Sequence, residues 1–202
     1  MSLFQPFLKA FIEGELNPWQ YYYYNGLSQD AFPYHGLMLG IHIIPALIGK
    51  FFVFNGVAYN MLFKAPLLLG DLLLYFTMVK MFPSSKRAIL ILYFLNPIVF
   101  YAIYVHSQLD IIPTALLVSS IYYLTKGRIR LSAIILGFAL ATKFHVLVVI
   151  PLLIMFVYKT NSLKNSILYS VIPFIVLLVF DLPFICSDGF LKMVIFNPKQ
   201  SL

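Results

Sequence analysis

Apolar residues recur at helical spacing early in the chain. In "SLFQPFLKAFIE", residues 2–13, Leu3, Phe4, Phe7, Leu8, Phe11 and Ile12 fall towards one side of a helix. The stretch is too short and too polar to cross a bilayer, and it predicts an amphipathic helix lying in the membrane interface. Residues 14–36, "GELNPWQYYYYNGLSQDAFPYHG", interrupt the periodicity with Gly, Asn and Pro, while Trp19 and Tyr21 to Tyr24 suit the headgroup belt. Seven apolar segments follow, over about 36–54, 65–82, 88–105, 111–125, 131–144, 145–158 and 166–185. Several lie near the lower limit of roughly 17 residues for a span. The fifth and sixth are joined so tightly that they form a helical hairpin or share a broken region.

Composition turns this pattern into a class. The 202 residues are 61% hydrophobic and only 10% charged, with a mean hydropathy of +0.91. A soluble domain carries about 25% charged residues. So few polar side chains could not cover a soluble core, and the sequence predicts an all-α, polytopic transmembrane helical bundle of about six to seven hydrophobic segments. The net charge of +7 does not point to nucleic acid, because Lys and Arg sit in short clusters between apolar runs. One cysteine, Cys186, excludes an internal disulfide. The expected organisation is an external juxtamembrane region over 1–54, a transmembrane bundle over 55–185 and the start of an external loop over 186–202.

The cations also orient the segments. Lys80, Lys86 and Arg87, then Lys126, Arg128 and Arg130, then Lys159 and Lys164 occupy alternate connections and hold eight of the fourteen Lys and Arg. Those connections are cytoplasmic by the positive-inside rule. The connections holding His106 to Asp110 and Lys143 to His145, and the end of the last segment with Asp181, then face outward. The segment over 36–54 contains His42, Pro45 and Lys50 and is expected to lie along or dip into the outer leaflet.

Polar residues inside so apolar a chain are candidates for function. Asp110 opens a helix with Pro113 in its first turn, which fits an N-cap. Its crowding with His106 and Gln108 also fits a surface site where a carboxylate could hold a sugar hydroxyl or a divalent cation, magnesium or manganese. Lys143 and His145 at an outer helix end fit either a snorkelling lysine or a phosphate-binding ammonium. Lys64, before Pro66, is a weaker instance. Asp71, within the second segment, needs a partner or a cavity at that depth; Asp181 reads as a structural cap. No metal-ligand spacing and no phosphate-binding glycine loop is present.

Four motifs taken in order suggest a family. "AFPYHGLML" at 31–39, "KAPLLLGDLLLY" at 64–75, "LNPIVFYAIYVHSQLD" at 95–110 and "LGFALATKFHVLVVIPLL" at 136–153, echoed by "GFLKMVIFNP" at 189–198, resemble the GT-C superfamily of polytopic glycosyltransferases. The resemblance is nearest to its glucosyltransferases of lipid-linked glycans and its bacterial mannosyltransferases. His35 departs from the motif, standing where relatives often carry a second Pro. The resemblance implies an amino-terminal-half fragment, with a first helix and a main catalytic carboxylate upstream of Met1 and further helices after Leu202. It implies transfer of a hexose from a polyprenyl-phosphate sugar to a lipid-linked glycan or other acceptor on the outer face. In that reading Asp110 contacts acceptor or metal beside His106 and Gln108, while Lys143, His145 and Lys64 meet the donor. Asp30, the only aspartate of the first loop, stands in for the missing base. The membrane is the plasma membrane of a prokaryote or the endoplasmic reticulum of a eukaryote, and the partners are lipid and the remainder of a larger enzyme. The alternative is a transporter, or a lipid-glycan flippase or polymerase component, which a buried Asp71 permits.

Overall fold

A computed structural model describes residues 4–51 and 56–197, and every regular element among them is helical. The last residues of the first predicted segment, 52–54, and the end of the external loop lie outside the described residues. In order, the helices are α1 (Phe4–Ile12), α2 (Pro18–Tyr24), α3 (Gly36–Phe51), α4 (Gly56–Phe63), α5 (Ala65–Met81), α6 (Lys86–Ile89), α7 (Pro97–Phe100), α8 (Ile111–Thr125), α9 (Ile129–Leu140), α10 (Ile150–Thr160), α11 (Leu163–Asp181) and α12 (Asp188–Phe190). Among the described residues, two helices are long and apolar enough to cross a membrane, Asn60–Met81 and Leu163–Asp181. A third span is made if Pro83–Phe94 and Pro97–Val105, bent by 52° at their junction, count as one. Four apolar helices are shorter, α3 among them. The protein is a helical membrane bundle.

The chain divides into two units, Met1–Phe63 with Leu178–Leu202, and Lys64–Leu177. The first is organised by aromatic residues. Trp19 is fully buried, donates its indole N–H to the Phe32 carbonyl at 3.0 Å, and packs against Phe7, Phe184 and Phe190. Phe7 stacks on Phe32 with ring centroids 5.0 Å apart. The apolar face of α1, with Phe7 and Leu8 at 0% exposure, is therefore covered by the protein's own rings. Asn17 and Pro18, which as a pair break a preceding helix, begin a new one: Asn17 Oδ1 accepts from Gln20 N at 3.1 Å and Pro18 occupies the first turn. Of the four tyrosines, Tyr22 is buried while Tyr21 and Tyr24 stay exposed.

The second unit packs by small residues and hydroxyls, the devices that hold helices together where lipid removes the hydrophobic drive. Gly70 of α5 lets Ile112 of α8 approach, and a Cβ there would stand 3.3 Å from the isoleucine side chain. Thr77 and Ser119 bond across the same pair at 3.1 Å. Ser120 of α8 bonds Ser132 of α9, which in turn reaches the Tyr169 hydroxyl of α11 at 3.0 Å. A Cβ on Gly137 of α9 would fall 2.6 Å from Val176 Cβ. Leu136, Leu140, Val146 and Ile150 fill the core beside them.

The third predicted segment departs most from a plain helix. It passes from α6 into a wide π-helical turn (Leu90–Phe94), breaks, restarts at α7 and widens again over Tyr101–Val105. Pro97 has no N–H to continue the ladder, and Asn96 caps the second half by accepting from Ile98 N at 2.9 Å.

Candidate functional site

The polar residues singled out in the sequence fall into three groups. The first lies at one end of the second unit. The α7–α8 and α9–α10 connections meet there through Lys143 Nζ, which donates to Asp110 Oδ1 at 2.6 Å. The side chains are 21% and 38% exposed, so this is a half-shielded pair that a ligand can reach. Asp110 occupies the N-cap position of α8, yet its side chain makes no capping bond. The carboxylate is committed to the lysine rather than to the helix. His106, Gln108 and His145 are exposed at the same two connections. Although its surface is exposed, partial desolvation by the surrounding protein holds the His145 imidazole below its ordinary pKa, the Lys143 ammonium adds to the lowering and the Asp110 carboxylate opposes it.

Ser107, between His106 and Gln108, belongs to the same polar cluster, but the sequence gives it no role of its own. It has φ +63° and is the non-glycine residue with positive φ among those described. Its hydroxyl is enclosed without a hydrogen-bond partner among the described residues. A left-handed non-glycine residue costs about 1–3 kcal/mol, and an unmatched buried hydroxyl about 1–3 kcal/mol more. No residue-type pattern announces either feature. The unusual backbone shows only in the fold.

The second group is buried. Asp71 is 3% exposed and accepts hydrogen bonds from the hydroxyls of Tyr93 and Tyr104, at 2.5 and 2.7 Å. Lys64 donates its ammonium to the Tyr104 carbonyl at 2.6 Å. Asp71 and Lys64 are thereby bound up with the bent segment.

The third group belongs to the first unit. His35 Nδ1 donates to Asp181 Oδ2 at 2.6 Å, and Gly36 N to Asp181 Oδ1 at 2.9 Å. Asp181 thus ties the end of α11 to the start of α3. A side chain on Gly36 would strike the Phe180 carbonyl. Asp30 lies in the turn before α3, in a different unit from Asp110, so the structure does not bring the two candidate catalytic aspartates together in one unit. Among the described residues no three His, Cys, Asp or Glu gather as metal ligands. At Asp110, where the sequence offered a cation site, the partner is Lys143.

A model of the GPI transamidase subunit PIG-U family matches residues 83–193, more than half of the chain. No curated protein and no solved structure matches it. The matched residues include both connections that carry Asp110 and Lys143, and the bent segment with Tyr93 and Tyr104. This finding corrects the expected activity. A transamidase joins a protein to a lipid anchor, so the chain is not a sugar-transferring glycosyltransferase, and the polyprenyl-phosphate sugar donor is withdrawn with it.

Proposed function

The chain belongs to the family of the GPI transamidase subunit PIG-U, and from that premise we propose that it serves the transamidase as a lipid-side subunit. It is an integral membrane protein of the endoplasmic reticulum, so the outer face of the sequence reading is the lumenal face. In this reading it holds the phosphate-bearing headgroup of the lipid anchor at the lumenal ends of its helices, while the other subunits of the complex supply the remaining parts of the reaction.

The observation that carries this is the Lys143–Asp110 pair. An ammonium is a strong point partner for phosphate, and a half-exposed carboxylate holds it in place until a phosphodiester takes over. Exchange is feasible because an ion pair of this exposure is worth about 1 kcal/mol or less. His106 and Gln108 stand at the same turn with donors and acceptors for the hydroxyls of a glycan headgroup.

The test uses cells lacking this subunit, complemented with the full-length protein. Lys143→Met should leave the subunit in its complex, judged by co-purification. It should lower lumenal attachment of a GPI-anchored reporter by about tenfold, the loss expected for one charged contact of about 1.4 kcal/mol. Lys143→Arg should restore much of it. Full attachment with Lys143→Met would sink the reading, as would loss of assembly accompanying loss of attachment.

A further inference from the structure

An open groove of about 580 Å³ lies between α1 and α3 in the first unit, away from the groups described above. Its walls include Ile12 and Ala46, and its rim carries Lys9, Glu13 and Lys50. We infer that this groove binds the zwitterionic headgroup of an ethanolamine phospholipid of the surrounding bilayer. The inference does not depend on the anchor-holding role.

The charges are arranged for such a headgroup. Lys9 and Glu13 stand one helical turn apart with their charged atoms at 3.5 Å. Lys50, near the end of α3, does not run out along its own helix as a snorkelling lysine would. Its ammonium crosses to the last carbonyl of α1, donating to Ile12 O at 3.2 Å. Two cations and one carboxylate therefore border one groove. A bare anion would meet the lysines and be repelled by Glu13. A phosphoethanolamine satisfies all three: the phosphodiester takes the two ammonium groups, and its own ammonium donates to the carboxylate. A choline headgroup carries the same net charge but has no N–H to donate.

The apolar part of a lipid has a matching surface. Ile44, Leu47, Ile48 and Phe51 recur at helical spacing on α3 and are exposed, Phe51 at 80%. A contiguous exposed apolar stripe of this kind marks a membrane contact. Lys50 lies one residue from Phe51, so the stripe passes directly from acyl-chain contact to headgroup charge. The occupant argued for is therefore one phospholipid, its tails along α3 and its headgroup between α3 and α1.

The experiment takes the full-length protein, purified within its complex and placed in phosphatidylcholine nanodiscs. These are doped with phosphatidylethanolamine or with phosphatidylglycerol. Bound lipid is read by native mass spectrometry. The wild type should retain phosphatidylethanolamine over phosphatidylcholine by at least about fivefold. Glu13→Gln should bring that ratio close to one while raising retention of phosphatidylglycerol, because only the carboxylate distinguishes the headgroups. Lys50→Met should lower retention of both. All three side chains are exposed, so the variants fold, and co-purification with the complex checks it. An unchanged ratio in the Glu13→Gln, Lys50→Met double variant would overturn the inference. A wild-type preference for phosphatidylglycerol would do the same. So would a photo-crosslinker at Lys9 that captures another subunit and no lipid, since the groove would then be a protein interface.

Discussion

Asp71 offers the sharpest test of how the second unit is held. Its carboxylate sits on α5 and takes one hydroxyl from each arm of the bent segment, Tyr93 before the break and Tyr104 after it. The bend of 52° is thus fastened on both sides by one residue. Hydrogen bonds to a charged acceptor are worth about 1.5–3 kcal/mol each in soluble proteins. Within membranes, side-chain bonds average nearer 0.6 kcal/mol, with a maximum of about 1.7. Tyr93 and Tyr104 are only partly buried, but their neighbours there are lipid or protein. The lower range therefore applies to each bond, and the pair contributes about 1–3.5 kcal/mol. Removing the acceptor leaves two hydroxyls unmatched, which moves Asp71→Ala towards the top of that range, at about 3 kcal/mol. Asp71→Leu fills the space that Asp71→Ala leaves empty, so it should be milder than Asp71→Ala. Asp71→Asn keeps one acceptor oxygen and should cost about 1 kcal/mol.

The assay is reversible unfolding of the purified full-length protein in mixed micelles, titrated with SDS. Tyr93→Phe and Tyr104→Phe should each destabilise the Asp71 protein by about 0.6–1.7 kcal/mol. In an Asp71→Leu background both tyrosine substitutions should become nearly neutral. The resulting coupling energies of about 0.5 kcal/mol or more are what a shared carboxylate requires. Additivity within about 0.3 kcal/mol in both cycles would refute the reasoning, and Asp71 would then be held by something other than the two tyrosines.

Four further outcomes are expected. Gly36→Ala should destabilise the protein by about 1–3 kcal/mol in the same assay, because its Cβ would press on the Phe180 backbone; an unchanged midpoint would contradict that packing. Ser132→Ala should cost about 1 kcal/mol by removing the hydroxyl's bonds to the Ser120 carbonyl and to Tyr169, while Ser120 keeps the Ser132 carbonyl, and Tyr169→Phe should cost less in that background than in the wild type. In sealed microsomes a cysteine at Lys126 should react with an impermeant maleimide and one at Gln108 only after permeabilisation; the reverse pattern would invert the orientation. The Lys143 ammonium helps hold the His145 pKa down, so Lys143→Met should raise it, shifting the pH profile of histidine modification by diethyl pyrocarbonate upwards, whereas no shift would mean that burial acts alone.

The legible part of the fold was the part written locally. Apolar runs located the helices to within a few residues, and the alternation of basic clusters assigned Asp110 and Lys143 to one face. It did not reveal that they touch. Thirty-three positions separate them, and no local pattern reports which of several residues at one membrane surface will pair. The same limit hid the clasp of His35 on Asp181, 146 positions apart; His35 showed only as a departure from a motif because its partner lies at the far end of the last long helix. Asn17–Pro18 and Asn96–Pro97 were different failures, since both signals were present. Each dipeptide opens a helix, and the second, which also breaks the run before it, was absorbed into an apolar run from 88 to 105 that looked continuous. The activity was misread because the motifs quoted for it describe how apolar helices meet polar lumenal turns, and several membrane chemistries need that arrangement.

The Asp110–Lys143 contact also constrains the membrane around the second unit. It closes a path of two helices, α8 and α9, so both ends of that hairpin lie on one face whatever the charge rule says. At 1.5 Å per residue, the 15 residues of α8 reach about 22 Å and the 12 of α9 about 18 Å. The hydrocarbon core of the endoplasmic reticulum is about 27 Å thick. The turn at the other end, where Gly127 adopts φ +72°, would therefore stop short of the opposite surface, and tilt would only lengthen the gap. Lys126, Arg128 and Arg130 crowd that turn, and the first two lie over the rings of Tyr122 and Tyr123, 5.7 and 5.9 Å from their centroids. Long cationic side chains can recover part of the shortfall by reaching to the headgroups. The rest must come from the bilayer, which thins at a cost of fractions of a kcal/mol per Å. In the orientation that the charge rule gives, a hairpin this short with a basic tip would draw the cytoplasmic leaflet towards it, with the Asp110–Lys143 pair at its open end.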